Sequence, residues 1–347
     1  MSFNQTSNLT IDEPLTLVFS VASTLTMVFI SSIVLNIISF RSIWNQKEYT
    51  IINTLILNLV MADLTYTMGI PFFVYQLFSR SWLMGKFGCK LFIFFEFSGI
   101  IVGIFTVCAL SVERYFDVTK CIQKTIDTYS NKFKIFVTSL YIIGLWLFSL
   151  AYILPFLISI DIFKMRNTYQ CNSNWSDNAL QIYFTTKFFT MFLMPFCVIL
   201  FCSMKILIFL LKWKIKSKSE KRPWYSFMVG TDSSQKEMLK KLVRLEKKDD
   251  NSGYQTIVCN VSLKSKRIKV SYLSSIRRKA IVLVLAIVFM FLIQWLPLWT
   301  FQFFVLFSDS QFKNIQLINM LSSTLSYSNT IANPLIYIIL TNKFNFF

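Results

Sequence analysis

Cys89–Ala109 reads CKLFIFFEFSGIIVGIFTVCA, and the chain continues Leu110-Ser111-Val112-Glu113-Arg114-Tyr115. This stretch decides the fold. An apolar run of this length can cross a bilayer as a helix. A Glu-Arg pair at its end is costly there unless it has a task. Glu96 precedes Arg114 by eighteen residues. At about 3.6 residues per turn that is five whole turns, so both side chains fall on one helix face. The rise between them is about 27 Å, close to the hydrocarbon thickness of a bilayer. One helix thus carries an acid near one membrane surface and an arginine near the other. That suits a device that reads one side and reports to the other.

Six further apolar runs lie around it: Pro14–Phe40, Thr50–Phe78, Phe136–Ile160, Ala179–Leu211, Ala280–Ser308 and Ile315–Leu340. The chain has 347 residues, is 54% hydrophobic and contains only 8 glycines, with a mean hydropathy of +0.54. Soluble domains rarely combine such apolarity with so little glycine. Asp63, Glu96, Lys187 and Lys205 are charges set inside the runs. The expected fold is an all-α membrane protein, a seven-transmembrane helix bundle over residues 14–340. Residues 1–13 form an extracellular tail, and residues 341–347 a short cytoplasmic end.

The net charge of +18 invites a nucleic-acid reading, but its distribution argues against one. Lys212–Lys279 holds 19 basic and 6 acidic residues, between the fifth and sixth runs. Basic loops mark the cytoplasmic side. Arg41, Lys47, Lys120, Lys124, Lys132 and Lys134 share that side, and Met1–Glu13 contains no Lys or Arg. The expected surroundings are therefore a lipid bilayer, with no nucleic acid. Sequons at Asn4, Asn8 and Asn174 all fall on the outer side, as glycosylation requires. A fourth, at Asn260, falls on the inner side and is expected to stay unused. No basic segment precedes the first run, so that run is expected to act as the signal anchor.

Cys108, Cys197 and Cys202 sit in apolar helical pattern and read as packing residues. Cys121 and Cys259 fall in the reducing cytosol. Cys89 and Cys171 both fall outside and are expected to form a disulfide that ties the top of span three to the next long outer loop. The chain has no histidine, which removes His-based triads and His general bases. No nucleophile–base set is visible, and an enzyme is not expected.

Further marks stand in order from about Pro14 to Phe344. They are Asn36 in the first run, the stretch Asn58–Leu64 with Asp63 in the second, and Trp82 in the first outer loop. Cys89 and Glu113-Arg114-Tyr115 follow, then Trp146 and Pro195 in the fourth and fifth runs. Phe291-Leu292-Ile293-Gln294-Trp295-Leu296-Pro297 reads as FxxCWxP with Gln294 in place of cysteine, and Asn333-Pro334-Leu335-Ile336-Tyr337 is a full NPxxY. Taken together and in order, these marks resemble a rhodopsin-class (class A) G-protein-coupled receptor, in which Cys89 matches the disulfide site and Glu113-Arg114-Tyr115 the D/ERY motif.

The resemblance implies roles. Arg114, with Glu113 and Tyr115, would meet a heterotrimeric G protein. Phe291, Trp295 and Pro297 would form the pivot of span six, and Asn333, Pro334 and Tyr337 that of span seven. Asp63, Asn329 and Asn333 would form a polar network that can hold an allosteric sodium ion, although Gly103 stands where the family usually supplies a serine hydroxyl. No other cofactor is implied. At the base of span six Arg277 replaces the acid that many members use to restrain Arg114, so elevated basal signalling is expected. Ser203 replaces a tyrosine that commonly supports Arg114.

The same resemblance places a ligand site among Glu96, Lys187, Trp295, Trp299, Gln302 and Tyr327. A carboxylate at the depth of Glu96 is expensive unless partnered, which favours a cationic ligand group. Alternatively Glu96 and Lys187 pair, directly or through water, and the ligand needs no charge. Span five lacks the serines of amine receptors. Cys171-Asn172-Ser173-Asn174-Trp175 is similar to the Cys-x-x-x-Trp pattern of neuropeptide Y and tachykinin receptors. A short neuropeptide ligand is expected, and a C-terminal basic-aromatic amide would suit Glu96 and the aromatic lining. The near alternative is a biogenic amine with Glu96 as ammonium partner. A seven-span transporter is the alternative of another class, but the halves show no repeat. Tyr327 stands where an opsin carries lysine.

The expected site is the plasma membrane, crossed many times. Arrestin and kinases would read the basic third inner loop, residues 213–276, where Glu237 and Lys241 form a helical pair. Phe344 would begin an eighth helix.

Overall fold

The computed structural model describes residues 15–45, 50–123, 130–165, 168–219, 266–307 and 315–341. Outside these lie the tail with Asn4 and Asn8, the loop with Glu237, Lys241, Cys259 and Asn260, and the end with Phe344. The side chains of Cys121, Arg277, Arg278 and Lys279 also lie outside the described set.

Span one is a single helix, Leu15–Trp44. Span two is two helices, Ile51–Thr67 and Ile70–Ser79. Thr50 caps its start, Oγ1 accepting from the Asn53 N–H at 3.2 Å, which satisfies a donor that the first turn leaves without a partner. The break falls at Gly69. Pro71 follows in the first turn of the second helix, where its missing N–H is not needed. Span three is Gly85–Gln123 and span four Asn131–Ser159.

A hairpin follows: Ile160–Met165 pairs antiparallel with Thr168–Ser173, in register from Ile160↔Ser173 to Met165↔Thr168. Span five runs Asp177–Phe188, a π-helical turn Phe189–Leu193, and Met194–Ser219. Span six is Lys266–Phe307, with Pro297 inside it.

Six helices among the described residues are long and apolar enough to cross a membrane. The seventh expected run is instead two helices, Ile315–Tyr327 and Asn329–Thr341, interrupted at Ser328. Pro334 has no N–H to give to the carbonyl of Thr330, four residues earlier. Asn36 on span one fills that gap, Nδ2 donating to Thr330 O at 3.0 Å. The asparagine of span one and the proline of span seven thus answer one another through one carbonyl.

The chain divides into two compact units. The first is Met1–Ser111, Tyr129–Ile199 and Ile287–Phe347. Its core gathers Leu25, Ile70, Trp82, Ile101, Ile153, Met191, Trp295 and Tyr327. Polar ties cross it. Asn58 Nδ2 donates to Thr106 Oγ1 at 2.7 Å, and Trp146 Nε1 donates to Asn58 Oδ1 at 2.9 Å, so one asparagine joins spans two, three and four. A cluster of Ile43, Ile52, Ile56 and Tyr337 packs separately. Met27, Ile30 and Val34 on span one and Leu140, Ile143 and Leu147 on span four are exposed. Apolar faces of this kind are what a helix presents to lipid.

The second unit is Val112–Thr128 and Leu200–Ala286. In it Tyr115 lies against Phe116 at 5.5 Å, and the Lys205 ammonium sits 5.3 Å from the Phe201 ring. Cys202 is buried as expected and Cys108 is half-buried, but Cys197 is exposed, on an outward face of span five.

Candidate functional site

Four spans of the first unit build the floor of the site. Tyr327, on span seven, donates its hydroxyl to Glu96 Oε1 on span three. The Tyr327 ring stacks on Tyr66 of span two at 4.6 Å, and Tyr66 stacks on Trp295 of span six at 6.2 Å. The Tyr66 hydroxyl shares a hydrogen bond of 2.8 Å with Ser326 Oγ. The expected carboxylate is thus joined to the expected pivot through two tyrosines. Tyr327 is fully buried and Trp295 nearly so.

Glycines make this approach possible. A Cβ on Gly69 would stand 3.0 Å from the Tyr327 hydroxyl and 3.3 Å from Glu96 Cγ. A Cβ on Gly99 would stand 2.6 Å from Tyr66 Cβ and 2.7 Å from its backbone N, so spans two and three could not meet there. Neither glycine, nor Tyr66, is among the residues expected at the site. The break beside Pro71 was the one available signal for Gly69.

Lys187, on span five, is 2% exposed. Its Nζ lies over the Phe97 ring, 3.1 Å from the centroid, with Phe184 and Trp299 rings at 5.6 and 5.9 Å. No ion pair joins it to Glu96 among the described residues: Glu96 is held by Tyr327, and Lys187 by aromatic faces. The direct Glu96–Lys187 pair weighed as an alternative is therefore not formed. Trp299 is buried against Phe188 and Phe192, with its Nε1 unpartnered, and Gln302 has a buried, unpartnered Oε1.

Below the floor, Phe291 lies against both Phe192 and Phe196, stacked at 5.7 and 6.0 Å. Gln294, the residue in place of cysteine, donates from Nε2 to Ser328 Oγ at 3.3 Å, at the interruption of span seven. Pro297 breaks the ladder one turn further out.

Asn333 Nδ2 donates to both carboxylate oxygens of Asp63, at 3.1 Å each. Asn329 begins the second helix of span seven and is not hydrogen-bonded to Asp63. A sodium ion needs oxygen ligands, but Asn333 turns its nitrogen to the carboxylate. A Cβ on Gly103 would meet only Ala62 Cβ, at 3.9 Å, so nothing there replaces the missing hydroxyl. This donor set does not fit a bound sodium ion.

The outer rim is fastened covalently. Cys89 and Cys171 form the expected disulfide, Cα–Cα 5.8 Å. Trp82 N–H donates to Tyr169 O at 2.7 Å, and Lys86 Nζ to Asp161 Oδ2 at 2.8 Å. That ammonium, with the Ile162 N–H, holds the Asp161 carboxyl below the usual carboxylate value. Trp175 packs on Phe156 and Tyr183, while Asn174 beside it is exposed. Glu113, Arg114 and Tyr115 belong to the second unit and are half-buried. Pro334 and Tyr337 are buried in the first.

The family model described as 7 transmembrane receptor (rhodopsin family) matches residues 32–337. The chain is similar to the urotensin-2 receptor of Homo sapiens, 22% identical over 88% of this chain and 63% of that protein. It is similar to somatostatin receptor type 4 of Rattus norvegicus, 25% identical over 86% of this chain and 63% of the relative. Galanin receptor type 1 of Homo sapiens is 31% identical over half of each. The chain spans about three fifths of the length of curated relatives that it matches.

Proposed function

The chain belongs to the rhodopsin family of seven-transmembrane receptors, and from that premise we propose that it turns the binding of a short extracellular neuropeptide into activation of a heterotrimeric G protein. The observation that carries this reading is the chain of contacts from Glu96 through Tyr327 and Tyr66 to Trp295. A basic ligand group drawn to Glu96 competes with the Tyr327 hydroxyl. Moving Tyr327 disturbs Tyr66, and through it the ring of Trp295 next to the Pro297 kink. A ligand that binds one arrangement of these rings better shifts the population toward it. Arg114 is then the side chain offered to the G protein.

Relatives named as receptors for urotensin-2, somatostatin and galanin support the peptide class. The N-terminus lies outside and the C-terminus in the cytosol of a plasma-membrane protein. Asn174 carries a glycan, its exposure giving access to the oligosaccharyl enzyme. Arrestin and kinases read the basic inner loop. The Asp63–Asn333 hydrogen bonds work directly, without sodium, as the hinge contact of span seven.

The test is G-protein activation in cells expressing the chain, challenged with urotensin-2, somatostatin and galanin peptides and with an amine panel, each with an Arg114→Ala control. A peptide response lost in the control is expected. A response to amines alone would move the reading to an amine receptor with Glu96 as ammonium partner.

A further inference from the structure

Span five carries a cation on a face that is otherwise apolar. Lys205 lies inside the run Ala179–Leu211, about 9 Å of helix before that run closes at Leu211. It is exposed, and so are Phe201 and Met204 before it and Ile208 after it. The lysine therefore stands within an outward apolar face, not at its edge. Charges at such depth in a membrane helix are rare, and they ordinarily turn into the bundle or reach for the interface. Lys205 does neither. Side chains on a helix lean toward its N-terminal end, which for this residue is the direction of mid-membrane. The ammonium lies over the ring of Phe201, one turn that way, at 5.3 Å from the centroid. Among the described residues its Nζ has neither a hydrogen bond nor an ion pair. A ring face offsets part of the cost of taking an ammonium out of water, but it supplies no anion.

We propose that Lys205 holds the phosphate of an anionic phospholipid, whose acyl chain lies along Phe201 and Met204. A charge at this depth draws headgroups toward it through local thinning of the bilayer. Lys212, Lys214, Lys216 and Lys218 continue the sequence of the same helix, and a basic end of this kind is attracted to the leaflet that carries anionic lipid. A second copy of the chain is a poor occupant, because a two-fold contact through this face would bring two Lys205 ammoniums together. Which leaflet supplies the lipid follows from the orientation proposed above. The site itself needs only that the helix lies in lipid, so the two can fail separately.

The test is native mass spectrometry of the full chain, purified in detergent and offered phosphatidylserine or phosphatidylcholine with the same acyl chains. Lys205→Gln, Lys205→Arg and Lys132→Gln are compared with wild type, and melting temperatures are measured in parallel. Lys132 is exposed at the start of span four, away from the proposed site. Wild type is expected to retain phosphatidylserine about fivefold more than phosphatidylcholine, the attraction of one lysine for an anionic headgroup. The preference should vanish in Lys205→Gln, return in Lys205→Arg and persist in Lys132→Gln. Glycerophosphoserine, the same headgroup without acyl chains, should not displace the lipid at about tenfold excess. Equal retention of the two lipids by wild type, or a preference unchanged in Lys205→Gln at unaltered melting temperature, overturns the proposal. An equal loss in Lys132→Gln also overturns it, since the attraction would then belong to diffuse basic charge. Displacement by glycerophosphoserine would show a site for a free phosphate and remove the lipid. None of these outcomes bears on G-protein activation, which tests the receptor reading by itself.

Discussion

Tyr327 donates its hydroxyl to Glu96 across 231 residues of sequence, while its ring lies on Tyr66 at 4.6 Å. One side chain therefore touches both the acid expected to meet a ligand and the aromatic path to Trp295.

Glu96→Gln keeps an acceptor for Tyr327 but removes the charge. Surface expression is expected to stay near wild type, while potency of a basic peptide agonist falls about tenfold to a hundredfold, the ~1.5–3 kcal/mol of a hydrogen bond to a charged group. A concentration–response curve that does not move would sink the role given to the carboxylate.

Gly99→Ala places a methyl 2.6 Å from Tyr66 Cβ, with backbone immediately behind it. Spans two and three must part, at a cost of about 1–3 kcal/mol or more for overpacking. Lower thermal stability of the detergent-solubilised receptor is expected. Gly103→Ala is the control, because its methyl meets only Ala62 Cβ at 3.9 Å. Equal melting temperatures for the two variants would contradict the close approach at Gly99.

Exchanging sodium for choline in the assay buffer should leave agonist affinity unchanged, since Asn333 turns its amide nitrogen to both oxygens of Asp63 and Gly103 supplies no hydroxyl. Gly103→Ser would restore an oxygen, and sensitivity to sodium is expected to appear with it. Clear sodium dependence in the wild type would refute this account of the polar core.

Lys86–Asp161 is a half-exposed pair, 53% and 51% by side chain, and such pairs contribute little. The sign of its pH dependence is nevertheless fixed. Asp161 has a depressed pKa when folded, so its contribution is present above the unfolded value and is lost as pH falls through the folded one. Asp161→Asn should lower the melting temperature slightly at neutral pH and by nothing in acid. A difference that grows on acidification would be the wrong sign.

Much of this was legible beforehand because it is carried by residue type at fixed spacing. Runs of apolar residues long enough for a bilayer located the spans. Family position brought Glu96 to Tyr327 and Cys89 to Cys171, and both contacts are formed. What stayed hidden depends on how helices approach in space. Tyr66 looks like any aromatic in an apolar run until Gly99 is seen pressed against its backbone. The break of span seven at Ser328 has no glycine or adjacent proline to announce it. There the Thr330 hydroxyl donates to Tyr327 O, and the Ile331 N–H turns instead to Ser328 O, a local exchange that residue type does not announce. The short hairpin Ile160–Met165 and Thr168–Ser173 joins the apolar end of span four to a polar segment, so periodicity alone could not separate it from the helix before it.

The π-helical turn at Phe189–Leu193 divides span five between Lys187 and Pro195. Such a turn holds one residue more than the α-helix around it, which rotates everything beyond it by about 100°. The two halves of this helix therefore keep separate reading frames. A lineage can insert or remove that single residue and re-aim the outer half, presenting a different chemistry to the extracellular world. The inner half, with Pro195 and everything that follows, keeps its face. Recognition can diversify at this joint without renegotiating the machinery that relays it.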